Sequence, residues 1–130
     1  DCVKCVSVNN IEKENIGLDI GTKTVELFKS KIMDSSTVVW NGPMGYIEDI
    51  RFQRGTKEIA YIVKEITDKG KITVIGGGDT VSAIDQIDPE INFTHKSTGG
   101  GSALELLSGK SLPTIAINPI LSKKLAAIAL

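Results

Sequence analysis

The chain has 130 residues, the size of one ordinary domain, and 41% of them are apolar, enough to build a core. Net charge is −1, charged residues make up 24% and aromatics 5%, so there is no basic stripe with interleaved aromatics to bind nucleic acid. No apolar run approaches the ~18 residues of a membrane span, and no secretory signal or basic amphipathic presequence is visible. A cytoplasmic protein without nucleic-acid or membrane partners is the default expectation.

Residues 2–8 alternate as Cys2-Val3-Lys4-Cys5-Val6-Ser7-Val8, which predicts a first strand. Cys2 and Cys5 then point to opposite faces, and the only histidine is His95, so neither a zinc site nor a redox pair is expected. A helix is predicted over 22–33, with Val25, Leu27, Phe28 and Ile32 at helical spacing. Thr37-Val38-Val39-Trp40 reads as a strand buried on both faces, and it ends in Asn41-Gly42-Pro43-Met44-Gly45. A second helix is predicted over 55–68, with Ile59, Ile62, Val63 and Ile66 on one face and Gly70 just past its end.

Ile72-Thr73-Val74-Ile75 is the next buried strand, followed by Gly76-Gly77-Gly78-Asp79-Thr80 and a helix to about Ile87. A short strand over 93–96 leads into Ser97-Thr98-Gly99-Gly100-Gly101, then a brief helix over 102–107 and an extended segment over 111–119. Residues 123–130 read as a short helix or an added tail. Strands alternating with helices predict an α/β fold: a parallel sheet flanked by helices, Rossmann-like and three-layered. His95 is expected to be packed or hydrogen-bonded in its strand.

Glycine placement carries the chemistry. Thirteen glycines in 130 residues is 10%, against about 7% on average. Two triple-glycine loops each run from a strand into a helix, at the sheet edge where open α/β folds bind ligands. Backbone without side chains can approach a bulky anion, and the following helix N-terminus adds partial positive charge. Both loops suit phosphate oxygens or a transferring phosphoryl group; two tight turns without a ligand are the plainer alternative. Asp79 has two readings from its position: an N-cap, or a carboxylate for Mg²⁺ beside a nucleotide phosphate. Glu48 is a loop carboxylate, either solvated or accepting from ribose hydroxyls. There is no Gly-Lys-Ser/Thr phosphate loop, no protein-kinase catalytic motif and no Ser-His-Asp set.

Gly17-Leu18-Asp19-Ile20-Gly21, Val38-Val39-Trp40-Asn41-Gly42-Pro43-Met44-Gly45, Gly76-Gly77-Gly78-Asp79-Thr80 and Ser97-Thr98-Gly99-Gly100-Gly101 occur in this order. Together with Leu104-Glu105-Leu106-Leu107 and Leu112-Pro113, they resemble the phosphoglycerate kinase family. The likeness runs over about residues 4–118 and is specific in combination. It departs at Asn15-Ile16, Thr22 and Ser102-Ala103, where the family usually has Trp-Met, proline and Ala-Ser.

The resemblance implies an incomplete C-terminal nucleotide-binding domain over 1–118, with 119–130 a divergent tail. It implies transfer of a phosphoryl group between 1,3-bisphosphoglycerate and ADP, giving ATP and 3-phosphoglycerate in glycolysis, with Mg²⁺ as cofactor and a monomeric parent. By the same resemblance, Leu18 touches adenine, Asn41 and Pro43 line the nucleotide pocket, and Glu48 holds the ribose. Gly77 and Gly78 lie along the phosphates, Asp79 binds Mg²⁺ and Thr80 helps hold the phosphate end. The amides of Gly78, Gly99, Gly100 and Gly101 stabilise the transferring group. The acidic substrate belongs to a missing N-terminal domain, so the chain alone is expected to be inactive. A truncated non-catalytic nucleotide-binding paralogue is the alternative, and a generic dinucleotide domain is disfavoured by the lack of GxGxxG after the first strand.

Overall fold

The computed structural model describes residues 3–99 and the backbone of residues 126–129. In chain order the elements are α1 (Thr22–Asp34), β1 (Thr37–Asn41), α2 (Arg54–Asp68), β2 (Ile72–Gly76), α3 (Gly78–Ile87), β3 (His95–Ser97) and β4 (Ala126–Ala129). The four strands form one parallel sheet in the order β3-β2-β1-β4. The α/β class and the helix-flanked parallel sheet follow from the alternation seen in the sequence.

β1 and β2 are the buried centre, as their β-branched runs require. Val38, Trp40 and Ile75 on one sheet face join a core with Val25 and Ile32 of α1, Ile59, Val63 and Ile66 of α2, and Val81 and Ile84 of α3. Val39 and Val74, on the opposite face, pack with Ile72 in a smaller cluster. The register Thr37↔Ile72 to Asn41↔Gly76 brings the two strands to the same end. The predicted face of α2 is buried throughout, and its exit follows a Schellman pattern. Lys71 N–H donates to the Ile66 carbonyl at 3.0 Å and Gly70 N–H to Thr67 at 2.9 Å, with Gly70 at φ 80°.

Four expectations are corrected. Residues 3–7 form no strand, and Val8–Asn10 is a single 3-10 turn. Val3, Val6 and Val8 are exposed, and none of the described strands pairs with this segment. Residues 126–129 are not helical but pair with β1, Val38 opposite Ala126 through Asn41 opposite Ala129. Leu27 is 56% exposed and lies off the buried face of α1, which uses Val25, Ile32 and half-buried Phe28. His95 is exposed on β3 and not packed. The predicted helix at 102–107 and the segment at 111–119 lie outside the described residues.

Candidate functional site

Because the strands are parallel, β1, β2 and β3 end at one sheet edge: Asn41 stands opposite Gly76, and Gly76 opposite Ser97. The loops leaving those positions are the ones that carry the glycines. Gly77 takes φ 91° and ψ 132°, a conformation that side-chain-bearing residues avoid, and is itself the N-cap of α3. Its N–H donates to the Ser97 carbonyl at 3.1 Å, tying the β2 loop to the end of β3. A Cβ built on Gly77 would lie 2.8 Å from Asn41 Oδ1, and one on Gly78 would lie 3.7 Å from the Thr98 carbonyl. Asn41, Gly77, Gly78 and Thr98 are thus neighbours at the N-terminus of α3.

Asp79 is exposed in the first turn of α3 and makes no side-chain capping bond. The N-cap reading of this residue therefore fails, because Gly77 occupies that position. Thr80 is 1% exposed, and its hydroxyl accepts from Gly42 N–H at 2.8 Å. That bond joins α3 to the loop after β1. The same loop is fixed elsewhere: the Trp40 indole N–H donates to the Gly42 carbonyl at 2.6 Å, and Met44 N–H donates to the Thr56 hydroxyl of α2 at 3.0 Å.

Beyond this junction, Leu18 lines a cleft of about 400 Å³, bounded by residues 17–20 on one side and 44–46 on the other. Tyr46 N–H donates to the Leu18 carbonyl at 2.8 Å, holding one wall to the other. Pro43 is half-buried between junction and cleft. Glu48 is exposed two residues past the cleft-lining Tyr46. Gly99 is exposed two residues past the end of β3, while Gly100 and Gly101 lie outside the described residues. Asn41, Gly77, Gly78, Asp79 and Thr80 thus gather at the N-terminal end of α3, with Leu18 in the cleft beyond.

Sequence reasoning missed Asp19 as an anchor. Asp19 Oδ1 accepts from Ile20 N–H at 2.8 Å and Oδ2 from Gly55 N–H, in the first turn of α2, at 2.8 Å. Its contact with Gly45 and Gly55 was invisible because those glycines lie 26 and 36 positions later. The only local hint was an aspartate set among glycines.

A family model described as phosphoglycerate kinase matches residues 1–110. The chain belongs to the phosphoglycerate kinase family. It is 49% identical over 113 residues to the phosphoglycerate kinase of Rippkaea orientalis, covering 87% of this chain and 28% of that protein. With that of Thermosipho africanus it is 54% identical over 101 residues, 78% of this chain and 25% of the relative. Among solved structures, phosphoglycerate kinase from Coxiella burnetii superposes with a TM-score of 0.63 at 37% identity, over 77% of this chain and 25% of that one. The enzyme from Pyrococcus horikoshii gives 0.59 at 36%, over 83% and 26%. The chain thus spans about a quarter of the length of the phosphoglycerate kinases it matches.

Proposed function

We propose that this chain forms part of the Mg-nucleotide site in the C-terminal domain of a phosphoglycerate kinase. The parent enzyme transfers a phosphoryl group reversibly from 1,3-bisphosphoglycerate to ADP, giving ATP and 3-phosphoglycerate. One observation carries the reading: three parallel strands end in register, and the residues that follow them, Gly42, Gly77 and Thr98, meet at the N-terminus of α3. Such an edge offers backbone N–H groups and a helix dipole to phosphate oxygens.

In this reading the cleft takes the base against Leu18, Glu48 accepts from the ribose, and Asn41 and Pro43 line the passage between. Gly77 and Gly78 run along the phosphates, and Thr80 supports that end by holding Gly42. The amides of Gly78 and of Gly99 to Gly101 would stabilise the group in transfer, where positioning and charge neutralisation supply most of the catalysis. The phosphoglycerate substrates bind elsewhere in the parent, on its N-terminal domain.

Asp79 suits a shared Mg²⁺. Its carboxylate is exposed beside the phosphate loop and free of capping, and no group of three metal-ligating side chains gathers among the described residues. A hard cation would then be held jointly with substrate phosphates, whose charge it offsets. Calorimetric titration of the 130-residue chain with ADP, with and without Mg²⁺, tests the reading. Mg²⁺ should strengthen binding in the wild type and not in Asp79→Asn, whose melting temperature should stay close to wild type because no capping bond is lost. No saturable ADP binding, or an equal Mg²⁺ effect in both proteins, would refute it. A coupled assay should show no bisphosphoglycerate-dependent ATP formation by this chain alone.

A further inference from the structure

The cleft beside Leu18 is lined by two segments far apart in sequence, and one side chain touches both. Asp19 belongs to the first wall, where its Oδ1 accepts from Ile20 N–H at 2.8 Å. The second wall passes directly over the same carboxylate: a Cβ on Gly45 would lie 2.5 Å from Asp19 Oδ1 and 2.3 Å from the Phe52 carbonyl. Below, Oδ2 accepts from Gly55 N–H at 2.8 Å, and a Cβ on Gly55 would lie 2.3 Å from Oδ1. The carboxylate therefore sits in a slot made by two glycines, one from the cleft wall and one from α2.

α2 also lacks a cap of its own. Its N-cap Gln53 is in the helical region, makes no side-chain capping bond, and the first turn contains no acid. The anion that helix N-termini favour comes instead from Asp19, 36 positions before Gly55. A fixed helix end, a fixed carboxylate and a glycine pressed against it, together with the Tyr46 N–H to Leu18 carbonyl bond, set how far apart the two walls stand.

We propose that Asp19 is a positioning residue, acting through Gly45 and Gly55 to hold the cleft at the width of a nucleotide base, and so governs affinity for the base end of ADP but not for its phosphates. The inference rests on the reading above that this cleft takes the base. Asparagine at this position keeps the shape but turns an NH₂ toward one of the two amide donors, so the bond to Ile20 N–H or to Gly55 N–H is lost and the slot loosens.

The test uses the 130-residue chain and its Asp19→Asn variant, titrated with Mg-ADP, with adenosine and with the base-free probe Mg-tripolyphosphate, following amide shifts by NMR. For Asp19→Asn the Kd for ADP and adenosine should rise about tenfold, equivalent to about 1.4 kcal/mol, while that for tripolyphosphate should not change. Equal losses for ADP and tripolyphosphate would mean that Asp19 serves only the fold, and would overturn the inference, as would unchanged ADP affinity. Leu18→Ala separates the two ways of failing. If it weakens ADP and Asp19→Asn does not, only the role of Asp19 falls; if neither does, the base reading falls and this inference with it. Should Asp19→Asn not fold, Asp19→Glu carries the test. It keeps the anion at α2, lengthens the side chain by one methylene in the same slot, and should show the same split between ADP and tripolyphosphate; equal losses would again overturn it.

Discussion

Replacing Gly77 with alanine separates backbone strain from side-chain crowding at the heart of the site. Gly77 holds φ 91° and ψ 132°, where a Cβ is strained whatever the surroundings, at a cost of about 1–3 kcal/mol. The new Cβ would also lie 2.8 Å from Asn41 Oδ1, against 3.4 Å for ordinary contact, so the Asn41 amide must withdraw by the difference of 0.6 Å. That side chain can turn, so the crowding falls on site geometry and the strain falls on the fold. A mid-range loss of about 2 kcal/mol, with an unfolding entropy of about 2.1 cal/mol/K per residue, lowers Tm by roughly 7 °C for 130 residues. Gly78→Ala is the matched control. Its φ is not positive, its nearest neighbour would be the Thr98 carbonyl at 3.7 Å, and alanine suits the first position of α3. Its Tm should move by no more than about 2 °C. Thermal unfolding followed by circular dichroism, with ADP calorimetry on both variants, decides the matter: Gly77→Ala should lose stability and ADP affinity together. A Gly77→Ala protein melting within 2 °C of wild type, or a Gly78→Ala protein melting as low as Gly77→Ala, would refute the reasoning.

Thr80→Val keeps the volume but leaves Gly42 N–H without its acceptor in a part-buried setting, so chemical denaturation should show a loss of about 1–3 kcal/mol, and ADP affinity should fall as the loop after β1 loosens. The Tyr61 hydroxyl donates to Asp88 at 3.0 Å; this bond, then desolvation, then the Asp88 charge raise its pKa above the ordinary 10.0. A raised folded-state pKa means the contribution is fully present below pH 10.0 and is lost as pH rises through the folded value. Urea midpoints of wild type and Tyr61→Phe should therefore differ at pH 8, and the difference should shrink as pH rises above 10.0; a constant difference would count against the bond.

The sequence was legible where short-range pattern and long-range packing agree. β1 and β2 show as continuous apolar runs because both their faces are covered, and α2 shows because Ile59, Ile62, Val63 and Ile66 recur at helical spacing. The glycine loops could be placed at one edge because parallel strands share a direction. Residues 3–8 misled because alternation reports a half-buried strand only when a neighbour bonds it, and none of the described strands pairs with them. β4 was hidden for the converse reason: Ala126-Ala127-Ile128-Ala129 has no strong strand preference, and its pairing with β1 spans more than 80 residues. Asp19 and Thr80 both show what local spacing leaves out. Each looked like a local motif residue, yet each makes its deciding bond to a backbone amide 36 or 38 positions away.

The segment after β1 is rich in glycine and proline, the composition of a loop that usually tolerates change. Yet within residues 42–46 the Gly42 carbonyl is engaged by Trp40, its N–H by Thr80, Met44 N–H by Thr56, and Tyr46 N–H by Leu18. There is no slack between these anchors. A ligand meeting this surface has little backbone left to order, so the entropic penalty of binding was met when the chain folded. The same economy makes the loop intolerant of length. A single inserted residue here would throw successive anchors out of step, whereas one at the exposed turn around Asn9 would disturb no anchor of this kind.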